Sequence, residues 1–458
     1  MSTLTITNPA TGATIRTVPA DTPDDVTAKV ARARAAQPAW RRRSLDERIG
    51  IIRAFREIIE RDKATLAALT TSEVGKPLGQ SKNELNGLLG RIDFFLAESA
   101  KTLAPEQVFS EGTMVEVIDH EPLGVVANIS AWNYPYFVGS NVFVPALIAG
   151  NTVLYKPSEF ATLTGLALAD ALHEAGVPKD VFIPVVGGGE IGAALTSQPV
   201  DGVFFTGSYA TGKKIADAAG KSMTRVQLEL GGKDPVYVAD DVDAAAAAAA
   251  TADGAFYNTG QSCCAVERIY VHDAIYDQFV DAFVREVGGF VVGDPTDEKT
   301  YIGPLTRAAQ LAVLDEQIAD AKKRGAKVAA GGQRLDRPGN YFAPTVLLNV
   351  DHSMAVMREE SFGPVIGIQR VKDDAEAASL MNDTQYGLTA GVYTKDRARA
   401  EKLLRDVDAG SAYWNCCDRV SPRLPWSGRG HSGLGLTLSR YGILAFTKPK
   451  AWHLRSPG

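Results

Sequence analysis

The chain is poor in cysteine, with four in 458 residues, and they stand as two adjacent pairs, Cys263 with Cys264 and Cys416 with Cys417. So few thiols exclude a disulfide framework and suit a reducing compartment. Neighbouring residues cannot easily ligate one ion together, no C-x-x-C occurs, and the six histidines are scattered, so no metal site is expected. Positive charge is not in excess either: 48 Lys and Arg face 54 Asp and Glu, a net charge of -6. That leaves no basic surface for nucleic acid or anionic lipid, and a small molecule is the expected partner. No apolar run approaches the ~18 residues of a membrane span. The N-terminal "MSTLTITNPATG" also lacks the basic and apolar regions of a secretory signal, so a cytoplasmic location is expected.

What is present describes an enzyme-sized globular chain. The apolar fraction of 45% and charged fraction of 22% are ordinary for folded proteins, and the length asks for two or three domain-sized units. Helical periodicity dominates the first hundred residues, with amphipathic runs near 24–36, 45–69 and 82–100. After residue 150 short apolar strands alternate with helices: "NTVLYK", "VFIPVV", "GVFFTG" and "RVQLEL" are separated by "TLTGLALADALHEAG", a short helix, and "YATGKKIADAAG". This is the pattern of βαβ units and a parallel sheet covered on both faces. A looser alternation follows, with strands near 268–272, 345–350, 364–371 and 389–394 and helices near 274–287, 306–324, 374–381 and 396–407, which makes a second α/β domain. The alanine run in "DDVDAAAAAAATADGAF" reads as a close-packing helix behind an Asp241 cap. No internal repeat is visible.

"VVGGGEIG" satisfies G-x-G-x-x-G through Gly187, Gly189 and Gly192, but the following helix is cut short before Pro199 and the next strand ends without a carboxylate. The glycines therefore read as shaping a tight strand-to-helix turn and not as a dinucleotide fingerprint. Better candidates lie at other strand ends. "YKPSE" places Lys156 and Glu159 around a Pro-Ser bend, and "FTGSYATG" offers Ser208 as an N-cap with backbone N–H groups for a phosphate. Each alone is a surface turn. Together, at the ends of sheet strands, they favour a dinucleotide.

"YNTGQSCCAVERIYV" sets two thiols behind a Gly-Gln turn, and side chains on extended chain diverge, so only one can face a given pocket. Local sequence does not choose between them. The segments "AWNYP", "YKPSE", "FTGS", "LELGGKDP", "NTGQSCCAVER", "EESFGPV", "NDTQYGLTAGVYT" and "PWSGRGHSGLG" occur in the order and at the spacing of aldehyde dehydrogenase motifs, and the chain resembles that superfamily over nearly its whole length. The resemblance selects Cys263, second after the Gly-Gln pair, as nucleophile and makes Cys264 a bystander.

The same resemblance implies the remaining roles. Asn133 and the Cys263 backbone N–H match the donors for an oxyanion, and Glu229 matches the general base that activates water against a thioester. Lys156 and Glu159 match contacts to the adenosine ribose of NAD, with NADP possible, and Gly207 and Ser208 match positions near the pyrophosphate. Glu360 matches the residue holding the nicotinamide ribose, with Phe362 and Trp132 beside the cofactor. Tyr134, Tyr257, Trp426 and Arg419 match the substrate tunnel. The implied architecture is a Rossmann-like parallel-sheet cofactor domain over 1–102 and 125–231, a catalytic α/β domain over 232–430, and a small β oligomerisation element over 103–124 and 431–458. In that element "TMVEVIDHEPLG" is the hairpin and "AFTKPKAWHLR" the terminal strand, joining a homodimer or homotetramer.

Departures from the family pattern, namely Ala131, Ser427 and the loop "YWNCCDRVSPRLP" with Cys417, Arg419 and Arg423, fall where relatives line the substrate tunnel. The aromatic positions suit uncharged aliphatic or aromatic aldehydes with broad tolerance. Arg419 or Arg423 would instead bind the far carboxylate of a semialdehyde such as succinic semialdehyde, and cation–π contact would suit an aminoaldehyde or betaine aldehyde. A silent relative would be expected to have lost Cys263, Glu229 or Asn133. An enzyme passing the thioester to coenzyme A would be expected to lack Glu229.

Overall fold

The computed structural model describes residues 2–457. Two sheets organise the chain. The first has six strands in the order Gly433–Leu434, Arg225–Glu229, Gly202–Thr206, Val125–Ile129, Thr152–Lys156 and Phe182–Pro184, all parallel except the first pair. The second has seven, Lys327–Ala330, Thr345–Leu348, Val365–Val371, Val266–His272, Asp234–Val238, Thr389–Tyr393 and Ser411–Trp414, antiparallel only at its first pair. Central strands such as Val125–Ile129 are buried throughout, which is why they read as continuous apolar runs.

The long helices form from clean signals. Ser44 caps the helix Leu45–Val74 in a capping box with Glu47, and Gly75 closes it at φ 78°. The helix Leu78–Thr102 buries Leu85, Leu88, Leu89, Ile92 and Phe95 at three- and four-residue spacing. Each of those side chains contributes ~2 kcal/mol by leaving water.

Several boundaries differ from the sequence reading. The alanine helix, Ala244–Phe256, is capped by Asp243, whose carboxylate accepts from the N–H groups of Ala245 and Ala246. Asp241 instead accepts from Thr394 and Lys395. The segment 113–124 holds only one strand of its hairpin: Met114–Pro122 pairs with Glu106–Glu111 on one side and with Thr447–Arg455 on the other. The helical N-terminal region opens with a strand pair, Thr3–Thr7 and Thr14–Pro19, that periodicity did not reveal. At Gly187 a Cβ would overlap the Ile191 side chain, so the glycine-rich turn is required by packing onto the short helix Gly189–Thr196. No helix among the described residues is long and apolar enough to cross a membrane.

Candidate active site

The turn before Cys263 is built under strain. Asn258, Thr259 and Gly260 follow one another at φ 54°, 59° and 72°. A β-branched threonine in that region costs on the order of 1–3 kcal/mol and persists only where its surroundings hold it. Here they do. Asn258 N–H donates to Gln80 Oε1 at 2.9 Å, and its side-chain amide donates to the carbonyls of Asn133 and Gln261, each at 3.0 Å. Thr306 N–H donates to Gln261 Oε1 at 2.9 Å. A Cβ at Gly260 would overlap the Gly363 carbonyl, so the tight approach needs glycine. The result is a rigid platform that joins Gln261, Ser262 and Cys263 to the loop carrying Asn133, whose Nδ2 donates to Gln261 O at 3.1 Å.

Two cavities meet at this platform, and among the described residues Cys263 is the one that lines both. The larger, about 650 Å³, is walled by Tyr134, Phe137, Tyr257 and Trp426, with Arg419 and Arg423 on the loop that follows Asp418. The smaller, about 270 Å³, is lined by Ala131, Trp132, Asn133, Thr206, Gly207, Ser208, Leu230, Gly231, Glu360 and Phe362, together with Arg307, Gln310 and Val313. Extended geometry does not separate the two thiols: both residues lie in a turn and both line the larger cavity, and what differs is their burial. Cys263 is half-buried, whereas Cys264 is 4% exposed and donates to Asp418 Oδ1 at 3.0 Å. Hydrogen bonding with Cys263 and burial push the Cys264 thiol well up, which keeps it protonated.

The smaller cavity has the features of a phosphate and ring subsite. Ser208 caps the helix Tyr209–Gly220, whose N-terminus presents N–H groups beside Gly207. Phe362 meets Trp132 edge-on at 5.5 Å. Glu360 accepts from Gly232 N–H at 3.0 Å, and its carboxylate occupies the place a Cβ on Gly231 would take. Burial and the nearby Glu267 push Glu360 up to about 8. Below it Lys233 pairs with Glu267 at 2.6 Å, both buried, and Glu267 accepts the N–H groups of Ser361 and Phe362, which fixes that loop.

Glu229 ends its strand next to Leu230 and Gly231 but lines neither cavity. Its Oε1 accepts from Gln227 Nε2 at 2.8 Å and Thr437 Oγ1 at 3.3 Å, and its Oε2 is buried without a partner among the described residues. Burial pushes this carboxyl well above the ordinary range. Lys156 and Glu159 also lie outside the smaller cavity. The Lys156 stem packs toward Gly192, and burial lowers its ammonium.

Three expectations for the tunnel are corrected. Ala131 lines the smaller cavity, Ser427 lines neither, and Cys417 is buried on the second sheet beside Tyr393 and Ala250. The sequence reading also missed the floor of the larger cavity: Asn83, Glu84, Gly87, Gly90 and Arg91 from the helix Leu78–Thr102, with Asn141. Their positions share one helix face, and the pair of glycines within a turn was the available signal.

The model of the aldehyde dehydrogenase family matches residues 1–452. A succinate-semialdehyde dehydrogenase [NADP(+)] of Deinococcus radiodurans is 37% identical over 449 residues, covering 97% of this chain and 93% of its own. A chloroplastic betaine aldehyde dehydrogenase of Amaranthus hypochondriacus is 36% identical over 451 residues, covering 96% and 90%. The crystal structure of an NAD-dependent aldehyde dehydrogenase from Sinorhizobium meliloti superposes with a TM-score of 0.96 at 34% identity, covering 100% of this chain and 92% of that one. The chain belongs to the aldehyde dehydrogenase family and is an NAD(P)-dependent oxidoreductase acting on aldehydes.

Proposed function

We propose that the protein oxidises an aldehyde to its carboxylic acid through a covalent bond to Cys263. The observation that carries this reading is the position of Cys263 as the single residue shared by the two cavities, one able to hold an aldehyde and the other a dinucleotide. The Cys263 thiolate attacks the carbonyl carbon, and the second N–H of the Asn133 amide and the Cys263 backbone N–H steady the oxyanion. The platform under Asn133 and Cys263 makes those donors rigid before substrate arrives. The dinucleotide, when bound, supplies the two-electron acceptor for the hydride. Glu229 then takes a proton from the water that attacks the thioester, and its unpartnered Oε2 supports that role.

Trp132, Gly207, Ser208, Glu360 and Phe362 would hold the nicotinamide and pyrophosphate end of the cofactor, and Lys156 and Glu159 the adenosine ribose. In this reading 1–102 and 125–231 form the cofactor half, 232–430 the catalytic half, and the sheet of 103–124 and 431–458 joins subunits. The exposed apolar side chains Val108, Phe109, Trp452 and Leu454 on that sheet support the last point. The test is NADH or NADPH formation from an aldehyde with and without coenzyme A, followed by analysis of the product. Free acid with no dependence on coenzyme A is expected, and an acyl-coenzyme A product would overturn hydrolysis.

NAD is expected to be preferred, because a Glu159 carboxylate beside the ribose repels a 2′-phosphate. Comparison of kcat/KM for the two cofactors checks this: equal values in the wild type, or an unchanged ratio in Glu159→Gln, would show that another group decides.

For the substrate, the aromatic walls suit an aldehyde chain of varied shape, and a cation in the same cavity that local sequence had not flagged, Arg91, favours a semialdehyde over an uncharged aldehyde.

A further inference from the structure

Arg91 is buried, 6% exposed, and no carboxylate of the described residues forms an ion pair with it, yet it lines the larger cavity. Of its donors only Nη1 has a protein partner, the Asn141 side-chain oxygen at 2.8 Å. Its guanidinium lies over the Phe137 ring at 3.9 Å from the ring centre. A desolvated guanidinium is costly, and one amide with one aromatic face offsets only part of that cost. Two of the acids that line the same cavity are engaged elsewhere. Glu84 binds the Lys76 ammonium and the N–H groups of Tyr136 and Phe137, and Asp418 accepts from Cys264 and Ser262. Burial brings Arg91 down to about 10, so it stays charged at neutral pH.

The helix around it is shaped to leave room. Glycine inside a helix costs ~1 kcal/mol relative to alanine, and two in one turn call for a reason. A Cβ at Gly87 would overlap the Phe137 ring on which Arg91 rests, whereas a Cβ at Gly90 would meet nothing within 4 Å. Gly87 seats the ring, and Gly90 lines the same cavity as Arg91. Arg419 and Arg423 are exposed, and solvated cations attract an anion without fixing its position.

We propose that Arg91, oriented by Asn141 and Phe137, anchors a carboxylate at the far end of the substrate, so that the preferred aldehydes are short ω-oxo acids. The proposal rests on the reading of Cys263 as nucleophile. A planar guanidinium with free N–H groups matches a carboxylate in a two-point contact, and the substrate supplies the direct carboxylate partner that Glu84, bound to Lys76 and acting on Arg91 only across a longer distance, does not.

The test compares kcat/KM for 4-oxobutanoate and for its uncharged methyl ester in the wild type, Arg91→Gln and Arg91→Lys. The wild type should favour the acid. Arg91→Gln should lose roughly 30-fold on the acid, mainly through KM, with the ester changed by less than about threefold. Arg91→Lys should recover part of the loss as a point charge. Succinate, which cannot react, should bind the wild type in calorimetry and bind Arg91→Gln far more weakly, with melting temperatures confirming that both are folded. If Arg91→Gln does not fold, Arg91→Met replaces it in both measurements, since an apolar stem suits the buried site. Equal use of acid and ester by the wild type, or equal losses on both in the variants, would overturn the anchor. Those outcomes leave Cys263-dependent turnover intact, whereas turnover of neither probe, or turnover that survives Cys263→Ala, refutes the nucleophile reading itself.

Discussion

Cys263→Ala is expected to bring aldehyde oxidation to background, while Cys264→Ala keeps most of it. Removing a covalent nucleophile closes the pathway and does not merely slow one step. Cys263 lines both cavities, whereas Cys264 lines only the larger and is buried, bonded to Asp418 and held in its thiol form. Steady-state NADH formation and alkylation by an aldehyde-mimicking reagent, followed by peptide mapping, check the assignment. Activity lost in Cys264→Ala and kept in Cys263→Ala would reverse it. A moderate loss of melting temperature in Cys264→Ala is compatible with the assignment, because the substitution leaves Asp418 without one of its two donors.

Glu229→Gln is expected to keep a first-turnover burst of NADH and to lose steady-state turnover by about 10²–10⁴-fold, since the base is needed only after the thioester has formed. Loss of the burst as well would place Glu229 in an earlier step. The pH dependence has a definite sign. Burial raises the Glu229 carboxyl well above its ordinary value, so its basic form is gained at a higher pH than for an ordinary carboxyl. Steady-state turnover of the wild type should climb through that ionisation, and the climb should vanish in Glu229→Gln. Stability runs the opposite way. A carboxyl with a raised folded pKa binds its proton more tightly folded than unfolded, so its contribution is complete at low pH and is lost as pH rises through the folded value. The melting temperature of the wild type should therefore fall, relative to Glu229→Gln, as pH rises above the ordinary carboxyl range.

The parallel sheets were legible because their strands are short apolar runs set between helices with clear caps. Val125–Ile129 escaped notice because it follows the strand Met114–Pro122 after only Leu123 and Gly124, with no helix before it to mark the start of the alternation. The Asp243 cap was missed for a related reason: "DDVD" offers three similar caps, and tertiary contacts from Thr394 and Lys395 remove Asp241 from the choice. The site was legible in its residue types and not in its geometry. Nothing local separates Cys263 from Cys264. What separates them is the neighbourhood built by Asp418, more than 150 residues away in the chain. Arg91 was hidden in an ordinary amphipathic helix, and only the two glycines before it marked that face as facing something other than a core.

The two cavities that touch at a single sulfur also bear on the order of events. On the proposed assignment of the two recesses, aldehyde and dinucleotide do not compete for volume. An inhibitor that fills the larger recess should be noncompetitive toward the dinucleotide, and one that fills the smaller should be noncompetitive toward the aldehyde. Only a molecule small enough to sit on Cys263 itself would obstruct both passages at once.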